Sequence, residues 1–477
     1  MAEPSSPRAL RPLSGIELYS STRHSRGLYR CVVFSARYLH PAPPGAILAA
    51  LGRLVAAQPM LRVGILGEDT DSAHFSHVPE VDLRRHLETR TLPAGAGYDA
   101  GVSGVHAWCH DQLWPDIATR PPWRVIVVRP ETNIPGEEPF EDVVFAFHHS
   151  LMDGTSAKKF QEQFAAALND VSSDSDPSPV LQFPDPPVLP EAQEDVIPYT
   201  NSTLFMGRLV WNEYAPAFLK AAKPAIWSGE PIDFALPHRA RVRAVDISAA
   251  VVASMVAQSR SHSASVTSLI QALCLASMAR RIPAEDAPAF TASTPFNMRP
   301  YMSATANPAV RDSFRVCISE TAHEFPAAAV DALRKPDADL DALIWHHAKQ
   351  VKDELRTRAG TLPADDPINL LRFILDWASH WSKKNDQPRD GSWEISSLGA
   401  MRNDSPGQYR ISRVLFTNSI MVTGQPFSVS VASAPSGALT AGISWNAGVV
   451  SEELMEGLAE DLLAYTTRLH ETGSFTA

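Results

Sequence analysis

Residues 143–147 form an uninterrupted apolar run, and two histidines, an aspartate and a glycine follow it closely. Four of the five apolar residues are β-branched or aromatic and the run ends at turn-forming residues, so the pattern predicts a buried central strand. After Gly154 apolar residues recur at helical spacing, which predicts a helix with Asp153 or Thr155 as its N-cap. The polar segment therefore connects a strand to a helix.

The hydrophobic pattern elsewhere predicts a mixture of strands and helices in both halves of the chain. Strands are predicted at residues 28–38, 61–66, 123–128, 240–247, 290–298, 393–398, 410–417, 427–434 and 439–445. Helices are predicted at residues 47–58, 104–118, 248–258, 266–280, 337–358, 368–381 and 451–468. Residues 201–235 have no pattern that assigns them. This mixture predicts two related α/β units with a site in the cleft between them.

The composition of the chain predicts two units and excludes some classes of protein. Serine and proline accumulate in residues 171–198, which predicts a linker between a unit at residues 1–200 and another at 201–477. A length of 477 residues is sufficient for two cores. The net charge of -11 argues against a nucleic-acid-binding protein. Since no run reaches the length of a membrane span and residues 1–12 lack a signal-peptide core, we expect a soluble, cytoplasmic protein without a membrane span.

The four cysteines predict no metal site. Cys31, Cys109, Cys274 and Cys317 lie far apart within apolar strand or helix patterns, and no Cys-x-x-Cys spacing occurs. This distribution is typical of reduced core residues, so we expect neither a zinc site nor any other metal.

The paired histidines are the strongest candidates for chemistry. A histidine at the end of a packed strand has a fixed ring that is largely neutral near pH 7, so His149 could accept a proton from a hydroxyl. Asp153 could orient that ring or anchor the loop on an arginine, and Gly154 permits a sharp turn or a close approach. Adjacent histidines at a strand end are also common as capped, half-buried polar residues. The pattern alone leaves these readings open.

A wider set of motifs resembles one group of enzymes. Residues 148–154 match the pattern His-His-x-x-x-Asp-Gly, and residues 11–17, 122–125, 294–300 and 394–399 add weaker matches. In these features the chain resembles the fungal alcohol O-acetyltransferases, within the BAHD-like, CoA-dependent acyltransferases and peptide-synthetase condensation domains. The Asp-Phe-Gly-Trp-Gly signature of the plant relatives is absent, and its nearest counterpart is residues 441–446. Plant substrate classes are therefore not transferred.

The resemblance implies a fold and a reaction. The fold would be two chloramphenicol-acetyltransferase-like subdomains, each a mixed β-sheet flanked by helices, with the active site in the tunnel between them. The reaction would be acyl transfer, in particular acetyl transfer from acetyl-CoA, to the hydroxyl of a small alcohol or secondary-metabolite acceptor by a monomeric enzyme. His149 would be the general base, and activity would fall below about pH 6 as the imidazole gains a proton.

The resemblance also implies roles for further residues. Asp153 would complete the catalytic motif and bond to Arg299, with Asn297 beside this arginine as structural support. Gly154, Ser396, Ser397 and Trp445 would form the substrate-binding part of the tunnel. Two alternatives stay open: a condensation-type enzyme that takes its donor from a carrier protein and acylates an amine, and a non-catalytic protein of the same fold that binds a metabolite.

Overall fold

The computed structural model describes residues 7–171, 177–215, 225–402 and 407–476. The strands are β1 (Ala9–Pro12), β2 (Val32–Leu39), β3 (Val63–Leu66), β4 (His74–His77), β5 (Glu80–Asp82), β6 (Leu87–Leu92), β7 (Trp123–Pro130), β8 (Phe140–Phe147), β9 (Val180–Gln182), β10 (Ala240–Ile247), β11 (Phe290–Asn297), β12 (Ile318–Phe325), β13 (Trp393–Ala400), β14 (Ile411–Asn418), β15 (Phe427–Ser433) and β16 (Leu439–Asn446).

The α-helices alternate with these strands. They are α1 (Gly15–Ser25), α2 (Pro44–Ala57), α3 (Tyr98–Asp111), α4 (Gly154–Asp170), α5 (Gln193–Val196), α6 (Thr203–Tyr214), α7 (Ala249–Ser261), α8 (Val266–Arg281), α9 (Ala327–Arg334), α10 (Leu340–Thr361), α11 (Trp377–Ser382) and α12 (Glu452–Thr472). Short 3₁₀ helices lie at Pro59–Arg62, Leu83–Arg85, Arg299–Tyr301 and Pro367–Phe373.

Two large mixed sheets organise the molecule. The first has the strand order β14-β2-β8-β7-β6, and the second has the order β10-β16-β15-β13-β11-β12. In the first sheet only β6 and β7 run parallel, whereas β13 runs parallel to both of its neighbours in the second. Two-stranded and three-stranded sheets accompany them. This architecture of mixed sheets flanked by helices confirms the predicted fold class.

The central strand β8 and the helix after it form where the hydrophobic pattern predicts them. Every residue of β8 is buried, and it pairs with β2 on one side and β7 on the other. The buried face of α4 includes Ala157, Phe160, Phe164 and Leu168. Phe160 stacks on Phe145 of β8 with ring centroids 3.7 Å apart. Burying each aromatic side chain contributes roughly 1.5–3 kcal/mol, so this contact fixes the helix against the sheet.

In the second half, helix α8 is surrounded by other elements. Twelve consecutive residues, from Ser268 to Ala279, are buried. Helices α7, α9, α10 and α12 pack against α8, and so does β13. A helix that is buried on all sides lies in the interior of a domain. This layer of helices contacts the second sheet through β13.

One strand joins the two halves. Strand β14 comes from the C-terminal part of the chain but pairs antiparallel with β2 in the first sheet. It also packs against β15 and β16 of the second sheet. The division near residue 200 thus does not separate the two sheets, and it stays a prediction. Of the predicted linker, residues 172–176 lie outside the described part, while residues 177–198 contain β9 and α5.

Three sequence predictions of secondary structure need correction. The helix predicted at residues 104–118 is α3, which ends at Asp111 and leaves Trp114 outside it. The helix predicted at residues 368–381 is a 3₁₀ turn followed by the separate α11, because Asp376 caps a new helix by accepting from the Ser379 amide. Strand β12 was not predicted. Its core-facing positions include Ser319 and His323, so hydrophobic alternation is missing.

No helix in the described part of the chain has the length and apolar character needed to cross a membrane.

A glycine permits the close approach of β14 to the second sheet, and its replacement should loosen that contact. A Cβ at Gly442 would collide with the carbonyl oxygen of Phe416 and lie 2.9 Å from Cγ2 of Thr417. We expect Gly442→Ala to lower the free energy of unfolding by about 1–3 kcal/mol, measured by urea denaturation.

The matched control is Gly104→Ala in α3, where an added Cβ meets nothing within 4 Å. Alanine is the better helix former, so this variant should gain up to about 1 kcal/mol. Equal effects of the two substitutions would contradict the close packing of β14 on β16.

Candidate active site

A cavity of about 460 Å³ lies where the two halves meet. Helix α1 and the segment after β8 line it from the first half, and residues of β11, β12, β13 and β14 line it from the second. Its volume is within the usual range for sites that bind small molecules. The predicted location of the site, between two units, agrees with this cavity.

His149 lies two residues beyond the end of β8 and borders the cavity. Its ring is half-buried, with the Tyr29 ring 5.8 Å away between centroids, and its Nδ1 is buried without a hydrogen-bond partner of normal geometry. Burial, followed by the positive charge of Arg23, lowers the pKa of His149 to about 4, although backbone groups of His149 and Met152 oppose this shift. If His149 is the base, this pKa moves the expected loss of activity to a pH below 6, and that loss stays a prediction.

Asp153 anchors the loop to the second half. Its carboxylate oxygens accept from Nη1 and Nη2 of Arg299 at 2.8 and 3.0 Å, and the Cys317 amide donates to it at 3.0 Å. The same carboxylate caps α4 by accepting from the Ser156 amide at 2.9 Å. Burial opposes its ionisation, but Arg299 and these donors hold the pKa of Asp153 below its usual range. Of the two readings of Asp153, the geometry favours the anchor.

Gly154 provides space and not an unusual backbone angle. A Cβ there would lie 2.9 Å from Cζ of Phe416 and 3.0 Å from Cδ2 of Leu398. Both side chains belong to the second half and line the cavity. The glycine therefore lets strands β13 and β14 close over the start of α4.

His148 faces away from the cavity into a buried polar cluster. The Nε2 atom of His148 lies 3.1 Å from Oε1 of Glu68, and the same oxygen lies 2.7 Å from Nδ1 of His24. The Nδ1 atom of His148 accepts a hydrogen bond from the Ser150 amide. Burial opposes the ionisation of Glu68, but the two histidines outweigh it and lower its pKa to about 2. The ligand atoms of the three side chains lie within 4.8 Å of one another, close enough to hold a metal ion, yet hydrogen bonds already join them. That the chemistry needs no metal stays a prediction.

The opening stretch at residues 11–17 supports the same loop. Arg11 pairs with Glu17 at 2.7 Å, and Glu17 completes a capping box with Ser14 at the start of α1. The hydroxyl of Ser150 donates to the Glu17 carbonyl at 2.8 Å. Helix α1 thereby places Tyr19 in the cavity wall.

The structure brings most of the predicted second-half residues to the cavity. Ser396 and Ser397 of β13 line it, and so does Asn297, whose Oδ1 accepts from the backbone amide and from Nη1 of Arg299. Trp445 is placed differently. It is 2% exposed, lies in the hydrophobic core of the second half and pairs with Phe427 of the neighbouring strand β15. Its predicted contact with substrate is therefore corrected to core packing.

Sequence reasoning missed three polar residues of the cavity. Glu320, Glu394 and Asn418 all line it, and Asn418 donates from Nδ2 to Oε1 of Glu394 at 2.7 Å. Glu394 begins the motif-like stretch at residues 394–399, but nothing in that stretch indicates that its side chain points into the cavity. A buried glutamate within an apolar strand pattern was the available signal.

The end of β13 is irregular beside the cavity. The register between β13 and β15 shifts between Ser397 and Ala400, and Gly399 adopts a φ of 65°, which glycine accommodates readily. Lys158 of α4 donates to the carbonyls of Leu398 and Ala400 at 2.9 and 3.2 Å. β-bulges of this kind are frequent next to active sites, where they redirect side chains.

Comparison with known proteins assigns the family. The alcohol acetyltransferase family matches residues 113–466, which is more than half of the chain. The chain belongs to the alcohol acetyltransferase family. It is 26% identical to a probable alcohol acetyltransferase (FCK4) of Fusarium pseudograminearum, over 98% of this chain and 97% of that one. It is 25% identical to a probable alcohol acetyltransferase (crmB) of Aspergillus fumigatus, over 94% and 98%. The protein is thus an acetyltransferase, and the family predicted from its motifs is confirmed.

Solved structures agree with this acetyltransferase fold. The trichothecene 15-O-acetyltransferase TRI3 of Fusarium sporotrichioides has a TM-score of 0.70 at 13% identity, over 97% of this chain and 98% of that chain. The starter condensation domain of rhizomide synthetase, in complex with C8-CoA and Leu-SNAC, has a TM-score of 0.59 at 12% identity, over 98% and 96%. At these identities the similarity shows the shared fold alone.

Removal of the Asp153 carboxylate should unfold the acetyltransferase more easily. Asp153→Ala leaves the largely enclosed Arg299 without its carboxylate partner and removes the cap of α4. We therefore expect a loss of about 3–5 kcal/mol in urea denaturation together with loss of turnover. The control is Asp312→Ala, which removes a surface ion pair with Lys159 and should cost less than about 1 kcal/mol. An Asp153→Ala protein of unchanged stability that has lost all turnover would instead indicate a direct catalytic role.

Proposed function

We propose that this acetyltransferase transfers the acetyl group of acetyl-CoA to a hydroxyl of a small organic acceptor, with His149 as the general base. The observation that carries the proposal is the position of the His149 imidazole on the wall of a cavity shared by both halves. A ring fixed in this position can meet an acceptor hydroxyl and a thioester that enter the same space. Family membership supports acetyl transfer to an alcohol.

The reaction joins one bond formation to one bond cleavage. The acceptor oxygen attacks the thioester carbonyl while His149 removes the hydroxyl proton, and collapse of the tetrahedral intermediate breaks the carbon–sulfur bond. The proton then passes from His149 to the departing thiolate, so the products are an ester and free CoA. The imidazole handles the proton, and the step needs neither a metal nor a covalent enzyme intermediate.

Alignment supplies most of the acceleration in this proposal. Holding two reactants in a productive geometry is equivalent to an effective concentration of about 10⁵–10⁸ M. A positioned general base increases the rate by about 10²–10⁴-fold more. The lowered pKa of His149 keeps its ring unprotonated at neutral pH, at the expense of basicity. Donors for the oxyanion are proposed among Ser396 and Ser397, because both line the cavity.

The donor is proposed to be CoA-bound. The starter condensation domain that shares this fold was solved with C8-CoA, so the fold is compatible with a CoA thioester. A condensation-type enzyme would need an acyl group on a carrier protein. Parallel assays with acetyl-CoA and with an acetylated carrier protein distinguish the two, and transfer from the carrier alone would contradict the CoA assignment.

His149→Ala should separate binding from chemistry. The variant keeps the fold and the cavity, so we expect normal binding of CoA but a loss of about 10²–10⁴-fold in kcat. The release of free thiol measures the turnover. His148→Ala should lose less activity but more stability, because it leaves the buried Glu68 with one hydrogen bond fewer. The control is His346→Ala on the exposed face of α10, which should change neither. Near-normal transfer by His149→Ala would refute the mechanism.

The pH dependence should follow the shifted histidine. Because the pKa of His149 is lowered to about 4 and the neutral ring is the active form, kcat/KM should stay level from pH 8 to about pH 5 and halve near pH 4. Circular dichroism at each pH and recovery of activity after return to pH 7 exclude acid unfolding as the cause. A midpoint near the ordinary histidine pKa of about 6.5 would show that burial does not control this residue.

A further inference from the structure

Two carboxyl groups that the mechanism does not use face the same cavity. Glu320 lies on β12 and Glu394 on β13, the two neighbours of β11 in the second sheet. Glu394 pairs with Ser293 and Glu320 pairs with Pro295, and these two positions are two residues apart on β11. Residues at i and i+2 of a strand share a face, so both glutamates project from the same face of the sheet.

The two glutamates are enclosed to different degrees. Glu394 is 6% exposed and has Asn418 as its hydrogen-bond donor, whereas the Glu320 side chain keeps accessible surface where it borders the cavity. Burial raises the pKa of both groups, and the charge of Glu320 adds to the rise at Glu394. Both groups cannot ionise without mutual repulsion, so the protonated form of one of them is favoured. One of them can then donate a hydrogen bond while the other accepts one.

A fixed positive charge lies behind this pair. The Arg23 guanidinium stands over the rings of Tyr19 and Tyr29, 4.1 and 4.5 Å from their centroids, and it opposes the rise in pKa at both glutamates. With one carboxyl protonated, the other keeps a negative charge that Arg23 offsets only in part. The pair therefore presents one hydrogen-bond donor and one charged acceptor.

The rest of the cavity wall is largely apolar. It includes Phe296, Ile318, Ile368, Leu371, Leu398 and Phe416. A pair of carboxyl groups in such a wall costs stability unless each oxygen finds a partner. Polar groups that are kept in a cavity at this cost are typical of ligand recognition.

We propose that Glu320 and Glu394 form the acceptor-binding subsite, and that the acceptor is an uncharged, mainly apolar alcohol with a second hydroxyl that hydrogen-bonds to this carboxyl pair. The inference rests on the proposed function, because the first hydroxyl of the same acceptor then faces His149. A carboxylate on the acceptor is repelled by the pair. An ammonium group is disfavoured because it meets the positive charge that Arg23 exerts on both carboxyls.

The test uses matched acceptors that differ only at the far end. Straight-chain α,ω-diols of four to eight carbons are compared with the monohydric alcohol, the amino alcohol and the hydroxy acid of each length, with acetyl-CoA as donor. A hydrogen bond to a charged group corresponds to about a 10- to 100-fold effect, so the best diol should exceed its monohydric alcohol in kcat/KM by about this factor. The hydroxy acid should be the poorest acceptor at every length.

Isosteric variants connect this preference to the two residues. Glu320→Gln and Glu394→Gln should each reduce the preference for the diol at least about tenfold, with little change for the monohydric alcohol. The matched control is Glu324→Gln, which removes an exposed carboxylate from the same strand outside the cavity and should leave the preference unchanged. Thermal melting checks the fold. Glu394→Gln should not melt below the wild type, because it removes a buried carboxyl whose ionisation is unfavourable, and Glu320→Gln should melt like the wild type, because the Glu320 side chain is exposed.

The outcomes separate this inference from the proposed function. Absence of a diol preference at every length, a preference that survives both cavity variants, or a preference for the amino alcohol would each overturn the inference while transfer itself still stands. Calorimetric titration of the best diol into the wild type and into Glu394→Gln, without donor, measures the subsite independently of turnover. If no alcohol is acetylated but the diol binds and the variant weakens that binding, the proposed function fails and the subsite is retained.

Discussion

The ion pair between Asp153 and Arg299 determines where the segment at residues 148–153 lies. Arg299 follows the end of β11, and the Cys317 amide, just before β12, donates to the same carboxylate. One side chain from the first half therefore binds two strand ends of the second sheet and caps α4 as well. An ion pair removed from water contributes little net stability, but loss of one partner is expensive, so its main effect is to allow only one arrangement of the halves.

Enclosure by both halves also sets the protonation states in the cavity. Desolvation disfavours the charged form of every group, which lowers the pKa of His149 and raises those of Glu320 and Glu394. Asp153 remains ionised only because Arg299 and two backbone amides compensate for its burial. The same physical cause thus acts on His149, on the two glutamates and on Asp153 within a single cavity.

Local pattern was sufficient to predict the strand, turn and helix around the paired histidines, because these elements are adjacent in the chain. The apolar run of β8, the N-cap at Asp153 and the spacing of α4 all follow from interactions within about twenty residues. Trp445 and Glu320 show the limit of this reasoning. The direction of Trp445 depends on the pairing of β16 with β15 and β10, and β12 carries polar residues on both faces. Such directions are fixed by strand pairing between distant segments, which a single sequence does not reveal.

This division between local and distant contributions also separates chemistry from specificity. The proposed base His149, the anchoring Asp153 and the glycine between Phe416 and Leu398 occupy one short segment. The carboxyl pair instead results from the placement of β12 and β13 on either side of β11. Proteins that share the motif can therefore share acyl transfer and still differ in acceptor. An identity of 26% to a probable alcohol acetyltransferase is compatible with a shared acyl transfer and with a different acceptor. The acceptor class must accordingly be read from the second sheet and not from the histidine motif.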